Sequence, residues 1–192
     1  MQNKKINLAI FASGSGTNAE NIVKYFLNDD IISVHSVFTN NPKAGVIERM
    51  KTYNIPMIIF NKDEFHSKQF LSLLYQLNID VIILAGFLWL IPENIIVNFP
   101  DRIINIHPAL LPAYGGKGMY GNNVHKKVID NKETKSGITI HLVNKDYDKG
   151  KILFQAVCHV YPNDTVDTLA NRVHLLEYTH FPSIIKAFVL TR

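Results

Sequence analysis

The sequence predicts an α/β protein, a doubly wound and mostly parallel sheet with an antiparallel C-terminal hairpin and a final packing helix. Three observations predict it. Short, near-continuous apolar runs alternate with amphipathic stretches as far as residue 106, as in parallel strands covered on both faces by crossover helices. The turn-forming run Gly14-Ser15-Gly16-Thr17-Asn18 breaks the chain directly after the first apolar run. Beyond residue 107 the texture changes to two long strand-like stretches joined by a polar turn.

The elements follow in order. Residues 6–12 are a strand, and Ile22, Val23, Phe26 and Leu27 recur at helical spacing over about 19–28. A second strand over 31–38 ends at Thr39-Asn40-Asn41-Pro42; a helix over about 44–53 and a strand over 56–60 come next. Asn61 or Asp63 caps a following helix whose apolar face is Phe65, Leu71, Leu74 and Leu77. Strands at 80–85 and 102–106 flank a short helix beginning near Pro92-Glu93. Past the glycine-rich Gly115–Gly118 run, a helix over about 122–130 leads to strands at 136–144 and 151–161, and a helix over about 164–189 closes the chain.

The composition fits one domain. Its 192 residues are 47% hydrophobic and only 19% charged, which excludes an intrinsically disordered chain. With Cys158 as the single cysteine, an intramolecular disulfide framework and a cysteine-based zinc cluster are both excluded, and a cytoplasmic location is expected. The net charge of +4 suits anionic small molecules, yet no lysine or arginine stripe forms, so no nucleic-acid partner is expected; Lys4-Lys5 and Lys126-Lys127 are isolated pairs. The longest apolar stretch, Val81 to Pro92, is well short of the ~20 residues a membrane span needs, so no membrane partner is expected either.

Two constellations carry chemistry. Gly14-Ser15-Gly16-Thr17-Asn18-Ala19 lies at a strand-to-helix turn, where backbone amides at a helix N-terminus attract phosphate. The run satisfies the dinucleotide fingerprint, but the end of the second strand offers Thr39-Asn40-Asn41 and no acid for a ribose, so a mononucleotide phosphate fits better than NAD. Asn105-Ile106-His107-Pro108 starts at the carboxyl end of a strand, the edge where open parallel sheets bind ligands. Side chains alternate along a strand, so Asn105 and His107 face one side and offer an amide donor and a proton-moving imidazole to the same pocket. His141-Leu142-Val143-Asn144-Lys145-Asp146-Tyr147-Asp148-Lys149-Gly150 reads by itself as a hairpin turn, and Asp148 matters only if the fold carries it to His107.

Taken with Leu84-Ala85-Gly86-Phe87 and with Asn105 through Pro112, these motifs in this order resemble the folate-dependent formyltransferases over about residues 6–188. The N-terminal Gly14–Asn18 run and the short length resemble the branch that formylates glycinamide ribonucleotide. The resemblance implies direct transfer of formyl from 10-formyltetrahydrofolate to the glycinamide amine through a tetrahedral intermediate, in de novo purine synthesis, with no metal. It implies a single formyltransferase domain over 1–192: a Rossmann-like, mononucleotide-binding half over about 1–100 and a catalytic, folate-binding half over about 101–192.

Residue by residue, Asn105, His107 and Asp148 match the family's catalytic trio, with His107 protonated beside the oxyanion. Gly16, Thr17, Asn18 and Glu177 match the phosphoribosylglycinamide site, and Leu88, Trp89, Leu90 and Ile91, with Asn105, match the folate site. Many relatives carry arginine where this chain has Trp89. His174, Glu177 and His180 share a helix face at spacing three, which reads as a polar face in preference to a metal site. Gly115–Gly118 is either a lid over the ligands or an inert loop. Competing readings are formyl transfer to another amine such as an amino sugar, a non-catalytic nucleotide-binding module, and an NAD-dependent oxidoreductase. A monomer or homodimer is expected, with the two small-molecule substrates as its partners.

Overall fold

Three parallel ladders build the N-terminal part of the sheet in the computed structural model, which describes residues 5–191. Strand β1 (Ile6–Phe11) pairs in parallel with β2 (Ile32–Thr39) on one side and β4 (Val81–Leu84) on the other, and β2 pairs with β3 (Met57–Ile59). All of β4 and the last four residues of β1 are buried, which explains their unbroken apolar character. Further strands are β5 (Ile103–His107), β6 (Lys135–Leu142) and β7 (Ile152–His159), and the seven run in the order β3-β2-β1-β4-β5-β6-β7. The chain resolves into two compact units, residues 1–104 and 105–192.

In the first unit, helices α1 (Thr17–Phe26), α2 (Val46–Lys51), α3 (Lys62–Phe65), α4 (Lys68–Gln76) and α5 (Glu93–Asn98) supply the crossovers. Register brings Phe11 opposite Phe38, and their rings stack 4.7 Å apart. Phe60, Phe65, Phe70 and Phe87 close round Phe11 to complete an aromatic core. The single helix expected after Asn61 is two. Asn61 forms a capping box with Glu64, and Ser67 caps α4 by accepting from the Phe70 N–H, so a second start signal six residues later restarts the chain. That restart turns Phe70 inward instead of Leu71, which is half-buried.

In the second unit, α6 (Asn122–Asp130) and α7 (Val166–Leu190) accompany the β6–β7 hairpin, whose antiparallel register runs from Lys135 opposite His159 to His141 opposite Ile152. The expected hairpin and closing helix are both there. Gly137 is required: any Cβ would run into the Ala156 carbonyl across the ladder. Thr165 caps α7 by accepting from the Thr168 N–H.

Candidate active site

The second unit assembles a polar cluster at the end of β5. Asn105 is half-buried and His107 is 4% exposed, both on the strand. Asp148 sits in the β6–β7 loop at φ 54, a left-handed conformation that aspartate tolerates better than most side chains. Its Oδ2 accepts the Gly116 N–H at 2.9 Å and lies 3.6 Å from His107 Nδ1; its Oδ1 lies 3.5 Å from Asn105 Nδ2 and 3.6 Å from His141 Nε2. The fold therefore brings the three expected residues together. Gly116 ties the start of the Gly115–Gly118 run to the same carboxylate.

Buried His141, the first residue of the His141–Gly150 run, joins them in a role the sequence did not assign. Its Nδ1–H donates to the Leu142 carbonyl at 2.8 Å, leaving Nε2 to accept from the Asn105 amide at 3.1 Å. That pairing fixes which way the Asn105 amide faces. The signal available was alternation, since His141 and Thr139 share one face of β6. Thr139 is equally structural. Its hydroxyl donates to the Ala109 carbonyl at 2.7 Å and accepts from the Leu111 N–H and the Gln155 amide, each at 2.9 Å, so one buried group braces the chain leaving His107. The Leu111–Pro112 bond in that segment is cis.

Electrostatics in the cluster pull in opposite directions. Burial lowers the His107 imidazole below its ordinary value, against the pull of Asp148 and of the Tyr114 carbonyl, which accepts from His107 Nε2 at 2.7 Å. Desolvation outweighs both acceptors and favours the neutral ring. Burial also opposes charge on Asp148, yet the Gly116 N–H it accepts helps hold its carboxyl below the usual range. Glu177 is buried on α7, where its Oε2 meets His174 Nδ1 at 2.9 Å and raises the His174 imidazole. His180 packs instead on the Phe154 ring at 4.9 Å, so the helix face splits rather than converging on an ion. Among the described residues no group of His, Cys, Asp or Glu is arranged to hold a metal.

The first unit shapes the Gly14–Asn18 turn separately, at the β1/β4 point where strand order reverses. Ser13 bridges the two strand ends: its N–H donates to the Gly86 carbonyl at 3.0 Å and its hydroxyl accepts the Leu88 N–H at 3.1 Å. Four successive carbonyls then turn onto partners. The Ser13 oxygen takes Asn41 Nδ2 (3.4 Å), that of Gly14 takes the Val46 N–H (3.2 Å), that of Ser15 takes Arg49 Nε (2.8 Å) and that of Gly16 takes the Glu20 N–H (2.9 Å). In a trans peptide the N–H opposes the carbonyl, so the amides of Gly14, Ser15, Gly16 and Thr17 each point away from the partner of the carbonyl in the same peptide. Asn41, from the run that follows the second strand, serves this brace.

Leu88, Trp89, Leu90 and Ile91 follow β4. Ile91 is buried, while Leu88 is 47% and Leu90 39% exposed. The Trp89 ring roots in the aromatic core, 6.0 Å from Phe60 and from Phe65. The segment thus shows apolar side chains to solvent on a fixed base, a surface suited to a flat heteroaromatic ring. No helix among the described residues is long and apolar enough to cross a membrane.

Comparison with known proteins agrees on one family. The profile described as formyl transferase matches residues 6–185. A chloroplastic phosphoribosylglycinamide formyltransferase of Arabidopsis thaliana is 38% identical over 96% of this chain, which spans 65% of that protein's length. The phosphoribosylglycinamide formyltransferase of Bacillus subtilis is 34% identical, with 93% of this chain and 92% of that protein covered. The crystal structure of glycinamide ribonucleotide transformylase 1 from Geobacillus kaustophilus superposes with a TM-score of 0.87 at 31% identity, covering 96% of this chain and 99% of that one. With the sequence matched across both compact units and the fold shared with solved members, the chain belongs to the formyl transferase family.

Proposed function

We propose that this chain transfers a formyl group from 10-formyltetrahydrofolate to the amine of glycinamide ribonucleotide, giving formylglycinamide ribonucleotide and tetrahydrofolate in de novo purine synthesis. The observation that carries the proposal is the cluster Asn105, His107, His141 and Asp148, and the names of the matched relatives support the same reaction. Acyl transfer to an amine passes through a tetrahedral centre that concentrates charge on the former carbonyl oxygen. One Asn105 N–H is committed to His141; the other, only loosely held by Asp148 at 3.5 Å, is the donor to that oxygen. Neutral His107 takes the proton of the attacking amine as the new C–N bond forms. Asp148 stabilises the imidazolium, which returns the proton to the folate nitrogen as the old C–N bond breaks.

The phosphate of the ribonucleotide goes to the amides of Gly16, Thr17 and Asn18, and Glu177 holds ribose hydroxyls. The pterin lies on Leu88, Trp89, Leu90 and Ile91, where backbone groups and apolar side chains suit a flat ring, while Trp89 supplies no charged contact from its position. No metal takes part. The working form is a cytoplasmic monomer or homodimer acting on small molecules alone, in keeping with a single, half-buried cysteine. The test is turnover of both substrates with the product identified by mass. Formylglycinamide ribonucleotide that depends on both substrates supports the assignment. Folate binding with turnover only on another amine, such as an amino sugar, transfers the activity to that acceptor, and failure to bind either ligand overturns the reading.

A further inference from the structure

We infer that Arg49 on α2 is a positioning residue for phosphate recognition, setting the aim of the Gly16 amide without touching the ligand. The inference rests on the assignment of the Gly14–Asn18 turn to the ribonucleotide phosphate. Among the described residues, side chains hold the carbonyls of Ser13 and Ser15 in that loop. The Ser15 contact, Arg49 Nε at 2.8 Å, is much the tighter of the two. The Ser15 carbonyl and the Gly16 N–H belong to one rigid peptide plane, so a guanidinium that pins the oxygen on one side aims the N–H to the other.

Arg49 is itself held at both ends. Its Nη1 pairs with Glu20 in the first half of α1. Glu20 is fixed in turn by the Tyr53 hydroxyl at 2.9 Å and by Lys24 at 2.9 Å. Hydrogen bonds from Lys24, Tyr53 and Arg49 bring the Glu20 carboxyl down to about 2, so it stays charged through the working pH range. The guanidinium is thus a two-armed strut between the loop and the helix whose N-terminus the loop caps. Its fork geometry is what lets one side chain serve both contacts.

Packing makes the strut's other anchor rigid. A Cβ on Gly16 would lie 2.5 Å from Val46 Cβ, and one on Gly45 would lie 3.3 Å from Ser15 Cα, so the start of α2 is pressed directly against the turn. The α2 backbone holds the Gly14 carbonyl through Val46, and its side chain at Arg49, one turn on, holds the next carbonyl. The same short helix therefore orients two successive peptides of the turn.

The experiment compares glycinamide ribonucleotide with its ribonucleoside, which lacks the phosphate, in wild type and in Arg49→Met, a variant that keeps a stem of similar length and no donor. Losing a charge-assisted hydrogen bond that aims a phosphate-binding amide predicts at least about a tenfold fall in kcat/KM for the ribonucleotide. The ribonucleoside's kcat/KM and the folate KM should stay within about twofold, since neither ligand uses the turn. Inorganic phosphate should compete with the ribonucleotide in wild type and should lose potency in the variant to the same extent. An equal loss for both acceptors would mark a general folding role and overturn the inference, as would an unchanged preference for the phosphorylated acceptor. If Arg49→Met does not fold, Arg49→Lys carries the same comparison: it keeps the charge but cannot bridge Ser15 and Glu20 with two nitrogens, so the preference still falls, and a wild-type preference overturns the inference. Wild type that turns over both acceptors equally well would instead remove the phosphate assignment of the turn, and the role of Arg49 with it.

Discussion

The Asn105 amide nitrogen stands 3.1 Å from His141 Nε2, and the opposite ring nitrogen of His141 is fixed on the Leu142 carbonyl at 2.8 Å. A buried imidazole with one nitrogen committed to a backbone acceptor has one lone pair left to offer, and it offers it to the amide whose direction the reaction depends on. His141→Ala is expected to lower kcat by about 10-fold or more through misorientation, while direct loss of the donor in Asn105→Ala costs about 10²–10³. Because the two act through one amide, the double variant should be little worse than Asn105→Ala alone. Fully multiplicative losses in steady-state kinetics would separate the residues and sink the positioning role of His141.

For His107 the prediction is a sign. Burial lowers its imidazole below 6.5, so a neutral base is present throughout the neutral range, and kcat declines only as pH falls through the lowered value. Asp148 pulls that value upward, so Asp148→Asn should move the acid limb to lower pH while cutting the maximal rate by about 10²–10³. Profiles of kcat against pH for the two proteins decide it. A limb that moves to higher pH in Asp148→Asn would show that the carboxylate does not stabilise the imidazolium.

Gly16 and Gly14 are expected to respond oppositely to the same methyl group. Gly16 has φ 77, and an added Cβ would meet Val46 at 2.5 Å; a Cβ on Gly14 meets nothing within 4 Å. Gly16→Ala should therefore lose about 1–2 kcal/mol from the left-handed backbone alone, and more from the clash, whereas Gly14→Ala stays within about 0.5 kcal/mol of wild type. Urea unfolding midpoints measure both, and equal midpoints would mean the turn relaxes in a way the packing of α2 does not suggest.

The parallel half of the fold was legible because burial on both faces writes itself as unbroken apolar strands, as in Val81–Leu84. The hairpin showed in its turn residues. What stayed hidden was local competition and distant pairing. Two capping side chains, Asn61 and Ser67, split one periodic stretch into two helices, and periodicity carries no trace of the break. Asn105 and His107 could be paired by strand alternation, but their meeting with Asp148 depends on a loop 41 residues beyond His107, and no spacing rule reports that distance. The role of His141 was hidden for a related reason. The residue sits at the end of a buried apolar strand, where an ordinary core histidine would look the same. The direction of the His107 shift was likewise invisible, since it follows from how deeply the ring is buried.

His125 on α6 gives the last prediction. The ring is 1% exposed and its Nδ1 is buried without a hydrogen-bond partner, so desolvation drives its pKa from 6.5 down to about 4. A histidine with a depressed folded value binds a proton more readily in the unfolded chain. Its neutral burial is thus fully tolerated above 6.5, and stability is lost as pH falls from there toward about 4. The span of that shift corresponds to a loss on the order of 3 kcal/mol across the window, with no further loss from this group below it. Replacing the ring by leucine removes the titration while keeping an apolar, helix-compatible side chain. His125→Leu should match wild type to within about 1 kcal/mol at pH 7.5, and should become the more stable of the two by pH 5, since the unpaired nitrogen gives up no bond. Urea midpoints taken at intervals from pH 7.5 to pH 4.5 test this directly. Parallel curves for the two proteins would show that His125 does not titrate on unfolding, and that the acid sensitivity of the fold lies elsewhere.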